Sequence, residues 1–296
     1  MTENAIGIYD SGFGGLSVAK QVMELMPHEN IVFLGDTKRM PYGDNEPETI
    51  VRYSLENSAF LLSKNVKLIV AACGTSCSCL SPDFARNLAV PFVGIIEPAA
   101  KAAAKKTRTK KVGVIATSAT IKSGSFLRSI KAIDSDISVF GQECPKLVPL
   151  IESGKISAED KELVEALHGY IAPILQSGCD TLILGCTHFN LISDVISFVS
   201  GGALSLVDTG VETALEIKRI IDSGNLCGGS GLREFYSTGS ANSFAKLAKI
   251  FLSRDVSDFV SHANLDAICT GRGKNSSPSD FCISAAQGVK HELFCE

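Results

Sequence analysis

The chain has 296 residues, 45% hydrophobic and 20% charged, with 28 Lys plus Arg against 32 Asp plus Glu and a net charge of -4. At about 150 residues per domain this length predicts two domains, and the near-neutral balance carries no basic footprint for nucleic acid or an anionic membrane. No apolar run approaches the roughly 20 residues of a membrane-spanning helix, and the opening MTENAIGIYDSG lacks the basic start and apolar stretch of a secretion signal, so a cytoplasmic protein with reduced cysteines is expected.

Along the chain, short apolar runs alternate with amphipathic stretches. The runs are NAIGIYD, NIVFLGD, VKLIVAAC, PFVGII, KKVGVIAT, SVFGQ, DTLILGC and LSLVD, with helical patterns such as ETIVRYSLENSAFLLSKN between them. Near-continuous apolar strands alternating with helices predict parallel sheets covered on both faces, in which ligands bind beyond the carboxyl ends of the strands. Two internal echoes suggest a duplication: NAIGIYDSGFGG resembles KKVGVIATSATI, and VKLIVAACGTS resembles CDTLILGCTHF at a similar offset. The reading is α/β, two similar doubly wound domains with parallel sheets and the active site in the cleft between them. Residues 1–97 plus 208–266 are expected to form the first, discontinuous domain and 98–207 the second. The Glu97-Pro98 step marks the first boundary, since Pro disfavours a helical residue before it. After Val207 a helix (DTGVETALEIKRIID), a Gly-rich turn (CGGSG), a strand (REFYST) and a helix (ANSFAKLAKIFLS) return to the first half. From Ala267 the periodicity is lost. Residues 267–296, with GRGKNSSPSD and the evenly spaced Cys269, Cys282 and Cys295, are expected to be a flexible tail without a metal-ligand pattern.

Chemistry concentrates just after the strands. Asp10-Ser11-Gly12-Phe13-Gly14-Gly15 follows the first strand and opens a helix, so its glycines permit a tight turn and its N–H groups favour an anion. A carboxylate inside such a cradle suits a zwitterion, whose ammonium group pairs with Asp10, and points to an amino-acid ligand. Cys73 and Cys186 each end an apolar strand beside small hydroxylated residues, Thr75 and Ser76 in one case and Thr187 in the other. Facing each other across a cleft, one thiolate would take an α-proton while the opposite thiol delivers one to the other face. The alternative for either cysteine alone is a small buried hydrophobe. His188 could stabilise a thiolate with Glu152 tuning its charge, and Asp36 could play the matching part for Cys73; helix capping is the other reading of Asp36 and Glu152. A hydrolytic Cys186–His188 pair would fit poorly if the strand continued through both. Cys77 and Cys79 look like packing residues, and Cys144, which also follows a strand, keeps an open role. No H-E-x-x-H or C-x-x-C occurs, and C-G-T-S-C-S-C is too bunched for a structural zinc site, so no metal is expected.

Taken in order, GIYDSGFGGLSV, FLGDTKRMPYG, AACGTS, VGIIEPA, VGVIATSATIKS, CPKLVPLIE and LILGCTHF resemble the motifs of the glutamate racemase family, within the aspartate/glutamate racemase superfamily, from about Ile6 to about Leu252. The resemblance implies interconversion of L- and D-glutamate without pyridoxal phosphate or another cofactor, supply of D-glutamate for bacterial peptidoglycan, and a homodimer. It implies Cys73 and Cys186 as acid/bases, with Asp36, Glu152 and His188 at auxiliary polar positions. It also implies substrate contacts from Asp10, Ser11, Pro41, Tyr42, Gly43, Gly74, Thr75, Thr187 and His188. Two departures stand out. Gly74 replaces the family's Asn, whose lost hydrogen bond to a charged group would be worth about 1.5–3 kcal/mol, and Phe189-Asn190 replaces the common Tyr-Pro, so that Asn190 could supply the missing amide. Gly74 therefore keeps two alternatives in view: another amino-acid substrate such as aspartate, or a weakened amino-acid-binding homologue.

Overall fold

In a computed structural model of the chain, which describes residues 4–265, each apolar run becomes a strand. These are β1 (Ala5–Asp10), β2 (Ile31–Gly35), β3 (Val66–Ala71), β4 (Phe92–Gly94), β5 (Lys111–Ala116), β6 (Ser138–Glu143), β7 (Thr181–Leu184) and β8 (Ser205–Asp208). The return segment adds β9 (Arg233–Ser237) and β10 (Val260–His262). Every residue of β1, β2 and β3 is buried, which is why these runs are apolar throughout rather than alternating: helices cover both faces of the sheet.

The strands form two parallel sheets, in the orders β10-β9-β2-β1-β3-β4 and β6-β5-β7-β8. The sequence echo is thus a repeat of topology, because β2-β1-β3-β4 in one sheet has the order of β6-β5-β7-β8 in the other. In each sheet the order reverses beside the central strand, between β1 and β3 or between β5 and β7. Such reversals open a crevice at the carboxyl ends of the strands. Asp10 and the Cys73 turn stand at one, Thr117 and the Cys186 turn at the other.

What seats the two sheets on each other is a shared apolar core. It runs from Ile6, Ile8 and Leu68 through Ala99, Ala100 and Ala103 on the helix Ile96–Lys106 to Val112, Val114 and Ile183. After β8 the carboxylate of Asp208 accepts the N–H groups of Gly210 and Val211 at 2.7 and 3.1 Å, starting the helix Thr209–Ser223. The chain then returns, and β9 pairs with β2. β10 has no counterpart in the sequence reading, because Val-Ser-His is a three-residue edge strand with no apolar alternation. Residues 267–296 and their cysteines lie outside the described residues. Among those described, no helix is long and apolar enough to cross a membrane.

A buried ion pair ties the returning segment down. Lys67, at the start of β3, pairs with Glu29 and donates to the carbonyls of Leu226 and Gly228 at 2.7 and 2.9 Å, while Glu29 accepts the Gly228 N–H at 3.1 Å. Lys67→Ala would leave a carboxylate and two carbonyls without their cation. Urea unfolding of this variant is expected to show a loss of about 3–5 kcal/mol; a loss below about 1 kcal/mol would mean that the tie is dispensable.

Candidate active site

On the six-stranded side, Asp10 closes β1 almost fully buried. Its Oδ2 accepts the Gly12 N–H at 2.8 Å, and the Gly15 N–H bonds to it as well. The cradle made by the glycine turn therefore holds the chain's own carboxylate. Gly12, Gly14 and Gly15 all avoid the left-handed region, so a tight turn is not what they provide. They provide close approach: a Cβ on Gly14 would stand 2.3 Å from Thr187 Oγ1 and 2.4 Å from His188 Nδ1 of the opposite half. Burial raises the Asp10 carboxyl above its usual range, with the His188 charge and the backbone N–H groups opposing.

Cys73 caps the short helix Gly74–Cys79. Its sulfur accepts the Ser76 N–H at 3.4 Å, and its thiol donates to Ser11 Oγ at 3.3 Å. Burial, with the Asp10 charge adding to it, pushes the thiol up to about 11. Behind the cleft wall, Tyr42 donates to Asp36 and accepts from Asn57 Nδ2 at 3.0 Å, while Asp36 also takes Arg39 Nε at 2.6 Å and Thr238 Oγ1 at 2.8 Å. Asp36 is fully buried and does not line the cleft. It reaches the cavity only through Tyr42, whose phenol is held protonated by burial and by the Asp36 charge.

On the four-stranded side, β7 ends at Leu184 and a 3-10 turn begins at Thr187. That turn swings His188 back beside Cys186, so the strand geometry that would have kept them apart does not apply. His188 Nδ1 lies 3.8 Å from Cys186 Sγ, Nε2 lies 3.0 Å from Glu152 Oε1, and the ring meets Phe251 edge-on at 5.4 Å. Burial alone would favour the neutral ring, but the hydrogen bonds to Cys186 and Glu152, with the charges of Cys186 and Asp10, push it up to about 10. At neutral pH both ring nitrogens then carry hydrogens, one directed at the sulfur and one at the carboxylate.

Cys73 and Cys186 line one cleft of about 420 Å³, a size suited to a small molecule. With them are Asp10, Ser11, Pro41, Tyr42, Gly43, Gly74, Thr75, Thr187, His188 and Glu152. A larger hollow of about 600 Å³ shares no lining residue with this cleft and lacks both cysteines. Asn190 does not join the cleft: its Nδ2 faces Ser17 Oγ and Thr209 Oγ1, each at 3.4 Å, so it does not stand in for an amide at position 74. The sequence reading passed over Thr117 and Thr120, whose hydroxyls continue a chain from Thr75 at 3.2 and 3.1 Å. The repeat was their signal, since Thr117 answers Asp10. Cys144 also lines the cleft, and burial with the nearby Cys186 raises its thiol. Among the described residues, no group of three or more His, Cys, Asp or Glu is placed to hold a metal ion.

Residues 17–214 match the family model for Asp/Glu/hydantoin racemases. The chain is 39% identical over 260 residues to a glutamate racemase of Carnobacterium, covering 86% of this chain and 96% of that one. Its fold is similar to the crystal structure of a glutamate racemase isoform from Bacillus anthracis, with a TM-score of 0.83, 30% identity and coverage of 90% and 99%. It is also similar to the glutamate racemase of Francisella tularensis in complex with D-glutamate, with a TM-score of 0.82, 27% identity and the same coverage.

The His188 environment has a direct readout. Folding raises its midpoint from 6.5 to about 10, so the imidazolium stabilises the native state fully below pH 6.5 and this contribution fades as pH rises through 10. An NMR titration of the His188 ring is expected to show a midpoint well above 8, falling by about one unit or more in Glu152→Gln. The stability difference between that variant and the parent should close across the same window. A parent midpoint near 6.5 would refute the coupling.

Proposed function

The chain belongs to the Asp/Glu/hydantoin racemase family, and we propose that it is a glutamate racemase that interconverts the L and D enantiomers with two cysteines and no cofactor. The observation that carries this reading is the placement of Cys73 and Cys186 after equivalent strands of two repeated sheets, lining one small cleft together with the buried carboxylate of Asp10. Proton transfer to and from opposite faces of one carbon needs an acid/base group on each side. Asp10 offers the substrate ammonium a counter-charge. Hydroxyls of Ser11, Thr75, Thr117 and Thr187 offer donors to the carboxylates.

With its thiol held up to about 11, Cys73 keeps its proton at neutral pH and is the donor in the resting cleft. Cys186, with the His188 N–H against its sulfur, is the acceptor. Its thiolate takes the α-proton, the C–H electron pair passes to the α-carbon and delocalises into the carboxylate, and Cys73 gives its proton to the opposite face. The product leaves Cys186 as thiol and Cys73 as thiolate, the arrangement that the reverse reaction needs. In this reading the enzyme works in the cytoplasm as a homodimer, and its D-glutamate serves peptidoglycan synthesis; the motif resemblance supports these assignments.

Incubation with L-glutamate in D₂O, without added cofactor, should give decay of optical rotation to zero with deuterium at the α-carbon. Cys73→Ser and Cys186→Ser should each slow inversion by about 10²–10⁴-fold while remaining folded. Inversion at the parent rate in either variant would overturn the two-cysteine mechanism. Faster turnover of aspartate than of glutamate would favour the second reading, a racemase of altered substrate, which the glycine at position 74 motivates.

A further inference from the structure

The helix Ala241–Leu252 carries Phe244, Ala248 and Phe251 at the i, i+4, i+7 spacing of one helical face, and all three are buried. Phe244 anchors this stripe against Phe13 at 5.6 Å and Phe33 at 5.9 Å. Two turns on, Phe251 is 1% exposed and lines no part of the cleft, yet its ring stands edge-on to His188, with centroids 5.4 Å apart and planes at 84°. The contact joins the two sides of the site, because this helix links β9 and β10 of the six-stranded sheet whereas His188 follows β7 of the four-stranded one. His188 Nδ1 lies 3.8 Å from Cys186 Sγ. A hydrogen bond that long aims the ring only loosely, so packing must fix it. Gly14 closes one approach, since a Cβ there would stand 2.4 Å from Nδ1 and 2.7 Å from Cε1, and Phe251 supplies an aromatic wall.

We propose that Phe251 is a positioning residue for proton transfer at Cys186: its ring holds the His188 imidazole with one nitrogen on the sulfur and the other on the Glu152 carboxylate. This rests on the racemase reading above. The titratable groups that act on the imidazole are Cys186, Glu152 and Asp10, while Lys246 and Lys249 of the Phe251 helix are exposed on its outer face. Phe251 itself brings no charge, so it acts either by geometry or by keeping water out, and the two have opposite signs. Burial draws the imidazole toward its neutral form, whereas the hydrogen bonds to Cys186 and Glu152 favour the cation. Were Phe251 only a cover, a smaller side chain would admit water and raise the His188 midpoint. A positioning ring does the reverse: cutting it back costs the imidazole its aim at both partners, and the midpoint falls.

The test is Phe251→Leu, which changes shape and no charge, read by NMR titration of the His188 ring and by inversion of glutamate, with thermal melting to verify folding. Should that variant not fold, Phe251→Met, which fills more of the space, is read in its place. The expected result is a His188 midpoint lower than the parent's by about half a unit or more, a kcat/KM for inversion about 10-fold lower in both directions, and an alkaline limb of the pH profile displaced to lower pH. In a Glu152→Gln background, where one nitrogen has lost its charged target, the same change should have less than about half that effect on the midpoint. A midpoint that is unchanged or raised overturns the proposal. So does the full effect in the Glu152→Gln background, because the ring contact would then act directly rather than by aiming the imidazole. The parent alone supplies a further check: no nuclear Overhauser contact between the rings of Phe251 and His188 overturns the proposal whatever the variants do. If the parent inverts neither glutamate nor aspartate, the racemase reading fails and takes the proposal with it, whereas an unmoved midpoint in a protein that does invert defeats the proposal alone.

Discussion

The cleft depends on how closely two backbones can approach where the sheets meet end to end. At one side the glycine turn of β1 lies against the turn that follows β7: Ser17 Oγ donates to the Thr187 carbonyl at 2.9 Å, and Gly14 leaves room for the Thr187 hydroxyl and the His188 ring. Protein interiors are packed nearly as densely as organic crystals, so such contacts transmit displacement rather than absorb it. The missing side chain at Gly14 is therefore part of how His188 is held. A bulkier turn would move the imidazole off both Cys186 and Glu152.

Burial acts on every ionisable group in this cleft, yet the outcome differs with the partners each group has. The Asp10 charge disfavours a thiolate at Cys73, which has the Ser76 N–H as a donor, and at Asp10 the N–H groups of Gly12 and Gly15 and the His188 charge oppose burial without outweighing it. Desolvation prevails there, and both shift toward their protonated forms. His188 meets the same loss of water but has a sulfur on one nitrogen and a carboxylate on the other, and the cation prevails. The two cysteines, alike in topology, thus occupy opposite electrostatic settings.

The strands were legible because burial on both sheet faces leaves an unbroken apolar run, a pattern that needs no tertiary information. The pairing of Cys73 with Cys186 was legible because the repeat carries each to the same point of an equivalent strand. Less accessible was anything decided by contact between distant residues. That the Asp10 carboxylate takes up its own turn's N–H groups, and that Gly14 is needed for His188 rather than for a turn, are facts of packing between segments far apart in the chain. Asp36 looked like a partner for Cys73 from its place after β2, but Tyr42 stands between it and the cavity. Asn190 had the right chemistry for a missing amide and points elsewhere, toward Ser17 and Thr209. No local signal in the sequence distinguishes those directions.

The return of the chain to the first sheet breaks the symmetry that the repeat would otherwise impose. β9 and β10 extend only one of the two sheets, and the helix Ala241–Leu252 that joins them packs Phe244 against Phe13 at 5.6 Å and against Phe33 at 5.9 Å. Seven residues further along that helix, Phe251 meets the ring of His188. One segment thus braces the glycine turn beside Asp10 and the imidazole beside Cys186. A duplicated fold by itself would place two equivalent sulfurs across a cleft and give neither a distinct role. The unduplicated segment packs against the imidazole beside one sulfur only, so the two cysteines, equivalent in topology, differ in their surroundings.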